Sequence, residues 1–184
     1  MRAEYENVLD DHLGKIHFTY VNTWDELLPA HWHEHLEIIY VLGGEITASI
    51  NDVSYELEKG DIFLVNSNDI HYTYTHEDAR YYLLQIPPVH LERISAKWKG
   101  LKFQELIRSK SADACVQGEQ LENVQGKGLV EMRENRKSTN RADDLYDQLR
   151  DVFRKIAGFY EEKKEGYHLL VLSAVYRLLY FLCL

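Results

Sequence analysis

The chain has 184 residues, 45% of them apolar and 28% charged, with a formal net charge of −9, enough for one ordinary domain or a small domain with a helical extension. Thirteen tyrosines, six phenylalanines and three tryptophans supply a core, which excludes a disordered chain. The acidic balance argues against a compact DNA-binding module that meets phosphates with a basic face.

The start, MRAEYENVLDDHLG, lacks the apolar stretch of a signal peptide. The longest apolar run, Leu169 to Leu184, contains Arg177 and is shorter than a membrane span. Cys115 and Cys183 form neither a metal cluster nor a disulfide framework. A cytoplasmic protein with reduced thiols and no membrane partner is expected.

Short alternating runs fill the chain up to Pro87-Pro88. Ile16 to Val21 is the first predicted strand, and Leu36 to Leu42 (LEIIYVL) is the most strand-prone. Glu45 to Ile50 follows Gly43-Gly44, and Asn51-Asp52 turns the chain into Val53 to Leu57, both residues tolerating positive φ. Lys59-Gly60 leads into Asp61 to Val65, a turn spans Asn66 to Asp69, and Tyr72 to Thr75 and Tyr81 to Ile86 complete the series. Strands with close turns and no helices between them indicate an antiparallel sandwich or barrel.

Beyond Pro88 the period becomes helical. A helix is expected from about Val89 to Trp98; the stretch from Gly100 to Gly128 is ambiguous, with Phe103 to Arg108 readable as another short helix. Another spans about Asn140 to Glu161, capped by Thr139 or Asn140. Its apolar residues Leu145, Leu149, Val152, Ile156 and Phe159 step by four, three, four and three, a heptad seam that predicts homodimerisation through this helix. Glu161 to Gly166 breaks it, and a final helix from Tyr167 to Leu184 is apolar on two faces. The chain therefore divides into residues 1–88 and 89–184.

The chemistry is concentrated in HWHEHLE, residues 31–37. In an extended strand alternate residues share a face, so His31, His33, His35 and Glu37 would point together. His71 can join them from another strand. Imidazole and carboxylate groups suit a divalent transition metal, and equally the polar lining of a small-molecule pocket. Tyr72, Tyr74, Trp32 and Tyr40 are further candidates for that lining, with Trp32 and Tyr40 on the opposite parity from the histidines. No nucleophile with an orienting partner is visible, so no enzyme activity is expected.

His31, His33, Glu37 and Gly44 resemble the first cupin motif, with Asp25 where that family's leading glycine stands. Gly60 and His71 keep register with the second motif, while Asn66, Asn68 and Thr75 replace its usual proline, glycine and asparagine. Asparagine is the best non-glycine residue for a left-handed position. The wording LPAHWHEHLEIIYVLGG followed by LEKGDIFLVNSNDIHYTY resembles, more closely, the N-terminal domain of AraC-type transcription regulators. The helical remainder is similar to that family's linker and dimerisation region.

The resemblance implies a cupin-like jelly-roll β-barrel (residues 1–88) with a helical dimerisation segment (89–184). It implies a small-molecule effector such as a sugar, bound by His31, His33, Glu37 and His71, and a homodimer. DNA would be bound only by a C-terminal domain missing from this chain. No metal or other cofactor is expected; if a metal is present, the same four residues are its ligands. The alternative is a metal-dependent cupin enzyme, an isomerase or dioxygenase.

Overall fold

The computed structural model describes residues 3–8, 15–94, 98–108 and 131–184, with side chains in the last segment from residue 144 onward. His12 and Cys115 lie outside the described residues. The strands are β1 (Glu4–Tyr5), β2 (His17–Thr23), β3 (Glu26–Trp32), β4 (Leu36–Gly43), β5 (Ile46–Ile50), β6 (Val53–Leu57), β7 (Ile62–Val65), β8 (His71–Thr75), β9 (Ala79–Ile86) and β10 (Leu106–Ile107). The α-helices are α1 (Pro88–Ile94), α2 (Glu131–Glu162) and α3 (Tyr167–Leu182).

The strands form two five-stranded sheets, ordered β1-β3-β8-β5-β6 and β10-β7-β4-β9-β2. All pairings are antiparallel except that of β1 with β3. This is the expected jelly roll, but as two facing sheets that do not close into a barrel: among the described residues no hydrogen-bonded ladder joins one sheet to the other.

The second sheet is covered on both faces. Ile39, Val41, Phe63 and Val65 point inward against Ile46, Ala48 and Ile50 of the first sheet. Their neighbours Phe18, Ile38, Tyr40, Leu64, Leu84 and Ile86 point outward into a core shared with α2 and α3. Central strand β4, between β7 and β9, is therefore buried along nearly its whole length. That is why LEIIYVL lacks the alternation of a half-exposed strand.

The heptad seam of α2 serves this same core. Leu149, Val152 and Ile156 are 1%, 2% and 0% exposed within one chain, among residues of the second sheet and α3, with Leu145 and Phe159 packed at the margin. The expected dimer seam is thus spent inside the chain. The physical reason is that the sheet's outer face is itself apolar and needs a cover. α2 also begins earlier than expected, so Thr139 and Asn140 are interior positions rather than caps.

The two long helices form a hairpin, turned by left-handed Lys163 (φ 44°) and Gly166 (φ 78°). α1 ends at Ile94, short of Trp98, which instead opens a short 3-10 turn. Phe103 to Arg108 is not helical: Leu106–Ile107 adds an edge strand to β7. Two polar clamps hold that segment down. The Asn66 amide donates to the Phe103 carbonyl at 3.1 Å, and its Oδ1 accepts from the Phe103 N–H at 2.7 Å. Arg108 grips the buried Asp61 carboxylate through Nε and one terminal nitrogen at 2.8–3.0 Å, the forked geometry that makes Arg–carboxylate pairs strong.

The turns behave as their residues dictate. Asn51 and Asp52 both take positive φ (47° and 70°), and Asn68 sits at 66°. Gly44 (φ 73°) is tighter: a Cβ there would lie 2.5 Å from the Asp78 carbonyl oxygen.

Candidate functional site

HWHEHLE is not one strand. β3 ends at Trp32, the chain bends through Glu34 and His35, and β4 starts at Leu36. A register shift between Leu28 and His31, around Pro29, precedes that end; proline, lacking a donor, is tolerated at such an irregularity. The result gathers His31, His33 and Glu37 by a route the alternation argument did not foresee. His71 stands at the start of β8, opposite His31 in the register. All four are buried, 7%, 1%, 4% and 1% exposed respectively.

Each ring is oriented by a specific partner. His31 Nδ1 lies 2.8 Å from the Pro29 carbonyl and His71 Nδ1 3.0 Å from the Asp69 carbonyl. A carbonyl only accepts, so in the neutral ring each Nδ1 carries the proton and each Nε2 presents a lone pair. Both Nε2 atoms are buried and take no hydrogen bond. His33 Nε2 donates to Glu37 Oε2 at 3.1 Å, and Gln85 Nε2 donates to the same oxygen at 2.8 Å. Gln85 faces Glu37 across the β4–β9 register.

The electrostatics follow from burial and charge acting in opposition. Burial alone would raise the Glu37 carboxyl. The hydrogen bond from His33, the positive charge of the imidazoles and the Gln85 amide outweigh it and hold the group at about 2. Burial likewise pushes His33 down, but its bond to Glu37 and the charges of Glu37 and Glu6 bring it above its ordinary value. For His71 burial wins, and the ring is held below its ordinary value. Tyr81, on the same inner face, is pushed up to about 12 by burial and by Glu37 and Glu26.

His31, His33 and His71 bring one ring nitrogen each within 4.8 Å of one another. Two of the three carry unpartnered Nε2 lone pairs braced from behind by Nδ1–H···O=C bonds, which is how metal-ligating histidines are held. The cluster thus fits a divalent transition ion, which would be held by the three imidazoles and would act there as a Lewis acid or as an anchor for an oxygen ligand. It fits equally the polar end of a ligand pocket.

The other sequence candidates lie elsewhere. His35 stands edge-on to His33 with ring centroids 5.8 Å apart, outside the group of three. Trp32 packs edge-on to Tyr5 at 4.9 Å. Tyr40 faces the helices, 5.5 Å from Phe153. Along β8, His71, Thr73 and Thr75 are buried while Tyr72 and Tyr74 alternate to the outer side. Tyr72 borders an outer cavity of about 540 Å3 with Ser49 and Asn51, and the Tyr74 hydroxyl donates to Asp25. None of these four aromatic rings lines the histidine cluster.

Two participants escaped the sequence reading. Gln85 could have been found as the one amide on the inward alternation Ala79, Tyr81, Leu83, Gln85. Glu6 left no signal, because it follows a two-residue strand. Val41, Ile46, Phe63 and their neighbours pack together on the inner faces beyond the cluster. A cavity of about 400 Å3 is bounded by Glu4, Tyr5, Glu6 and the stretch from Leu28 to His31.

The structure is a jelly-roll sandwich with a buried histidine cluster at one end. The profile of the family described as "AraC-like ligand binding domain" matches residues 14–179, and the chain belongs to that family. Among solved structures it is similar to an RmlC-like cupin from Shewanella frigidimarina (20% identity, 39% of this chain and 66% of that one, TM-score 0.37). It is similar also to KdgF from Halomonas sp. (23%, 39% and 68%, TM-score 0.37). A third is a protein from Thermotoga maritima described as a predicted oxalate decarboxylase (22%, 38% and 64%, TM-score 0.36). The chain spans about two thirds of the length of each. No curated protein matches it.

Proposed function

We propose that this chain is the effector-sensing and dimerising region of an AraC-type transcription regulator. It binds a small polar metabolite, such as a sugar, at the histidine end of the sandwich. The observation that carries this reading is the placement of His31, His33, Glu37, His71 and Gln85, all buried, together at one end of the sandwich in a ligand-binding family. A few fixed polar groups in an apolar surround are what orients a small ligand.

Residues 1–88 supply the effector site and 89–184 the linkage and dimer contact. With the α2 seam occupied, the partner surface is the outward stripe of α3. Leu169, Leu170 and Tyr180 there are 62%, 49% and 59% exposed, and Leu184 just beyond the helix is 66% exposed. DNA is met by a separate domain of the parent regulator, consistent with the net charge of −9 on this chain. The cytoplasm is the compartment this role implies; no helix among the described residues is long and apolar enough to cross a membrane.

The test is a reporter promoter driven by the parent regulator. Expression should respond to the effector in the wild type and lose the response in His33→Ala at unchanged protein level; a response untouched by His33→Ala and Glu37→Ala would refute the site.

A second reading, a metal-dependent cupin enzyme of the isomerase or dioxygenase type, is favoured by the three-histidine group. Metal analysis of protein purified without chelators, with turnover lost in His71→Ala, would select it.

A further inference from the structure

The N-terminal strand carries a second carboxylate to the histidine cluster. β1 pairs in parallel with β3, with Glu4 opposite His31 and Tyr5 opposite Trp32. The Glu6 N–H donates to the Trp32 carbonyl at 3.0 Å, and Tyr5 packs on the Trp32 ring. These contacts aim the Glu6 side chain at the imidazoles. Its Oε2 lies 3.6 Å from His31 Nε2 and 3.8 Å from His33 Nε2. That oxygen is buried and has no hydrogen-bond partner, although a third of the side chain is open to solvent.

The distances discriminate. A hydrogen bond between these groups would bring the heavy atoms to about 2.7–3.2 Å. Two ligand atoms sharing one tetrahedral ion, each about 2.0–2.1 Å from it, stand about 3.3 Å apart. Contacts of 3.6 and 3.8 Å are too long for direct bonds and close to the separation a shared ion imposes. Glu37 Oε1 stands in the same relation to His71 Nε2, at 3.8 Å, on the other side of the cluster. Two carboxylates around three imidazoles balance a dication.

We propose that Glu6 is a protein ligand of a divalent transition ion held by His31, His33 and His71, with His33 releasing the Nε2 proton it donates to Glu37 when the ion binds, and that the ion fastens the N-terminal strand onto β3. This rests on the cluster's being a binding centre. It adds a ligand from outside the sandwich core and a consequence: occupancy of the centre is read out as order in residues 4–6. With the ion bound, Glu6 bridges β1 to a centre built from β3, the bend after it and β8. Without it, the short ladder with β3, the Glu6 N–H bond to the Trp32 carbonyl, the Tyr5–Trp32 contact and buried Val8 hold the segment.

The experiment uses cobalt(II) added to chelator-treated full chain, with binding followed by its visible absorption and the Glu6 amide followed by hydrogen exchange. Wild type should bind one cobalt and slow exchange at Glu6. Glu6→Gln, which keeps shape and removes the anionic ligand, should weaken cobalt by at least about 10-fold, the loss that even an outer partner of a metal site commands. It should also alter the absorption band and abolish the change in exchange. Glu6→Gln with wild-type affinity, spectrum and protection would overturn the role of Glu6 while leaving the three-histidine centre standing. Wild type that binds no cobalt, or binding indifferent to His71→Ala, would overturn the centre and the inference with it.

Discussion

Truncating the α2 seam separates a core helix from a dimer helix. Leu149 and Ile156 are 1% and 0% exposed in the single chain, against the outer face of the second sheet and α3. Replacing either by alanine deletes fully buried methyl and methylene groups and leaves a hole, costing about 2–5 kcal/mol. The two positions lie seven residues apart, about 10 Å along the helix axis, so their effects should add. A combined loss of about 4–10 kcal/mol is comparable with the whole stability of a domain, about 5–15 kcal/mol. Urea unfolding followed by circular dichroism is the assay. At a slope of about 2 kcal/mol per molar, each single variant should lower the midpoint by about 1–2.5 M, and Leu149→Ala with Ile156→Ala should unfold in little or no urea. A double variant that keeps the wild-type midpoint within about 0.3 M while its mass in light scattering falls from dimer to monomer would refute the reasoning. It would return the seam to the subunit interface.

Three further outcomes follow from particular contacts. The Glu37 carboxyl sits at about 2 in the fold against 4.5 ordinarily, so the folded chain binds fewer protons between those values. The contribution, about 3 kcal/mol at about 1.4 kcal/mol per pH unit, is complete above about pH 4.5 and lost as pH falls towards 2. Urea midpoints measured down that range should drop more steeply for wild type than for Glu37→Gln, and parallel curves would count against the buried His33–Glu37 pair. Gly44→Ala puts a Cβ 2.5 Å from the Asp78 carbonyl at a φ of 73°; it should cost at least about 1–2 kcal/mol, and a thermal midpoint unchanged by it would be contrary. Leu170→Asp with Tyr180→Asp, at exposed positions of α3, should convert a dimer into a folded species of 21.7 kDa by light scattering, whereas a wild type already at that mass would dispose of the dimer.

Much of the sandwich was legible because its turns are chemically distinctive. Asn51-Asp52 set the hairpin, and the strand after it is Val53–Leu57 as expected. β3 was not legible: Glu26, Leu27, Leu28 and Pro29 are all exposed, so the stretch shows no alternation and carries a proline. β1 and β10 are two residues each, stabilised by pairing partners distant in sequence, and local pattern has no means of finding them.

At the site, residue type carried more than geometry. His31, His33, Glu37 and His71 do converge, yet through a bend and a register shift rather than along one strand. Parity sets two of the aromatic candidates apart from the cluster: β8 sends His71 and Thr73 inward, so Tyr72 and Tyr74 go outward. The α2 seam was visible as a buried face, but periodicity names a buried face without naming what buries it. Here a sheet built from strands distant in sequence does so.

The central claim is that the histidine end of the sandwich is where a small molecule is recognised. Thermal unfolding of wild type and His33→Ala across a panel of small polar metabolites tests it most directly. A ligand at a hundred times its dissociation constant stabilises by about 2.7 kcal/mol, about 5–10 °C for a chain of this size. The result expected is a rise of that order in wild type with at least one metabolite class, lost in His33→Ala although that variant unfolds as a single cooperative transition without ligand. A rise of equal size in both proteins would contradict the claim and move recognition to one of the outer cavities.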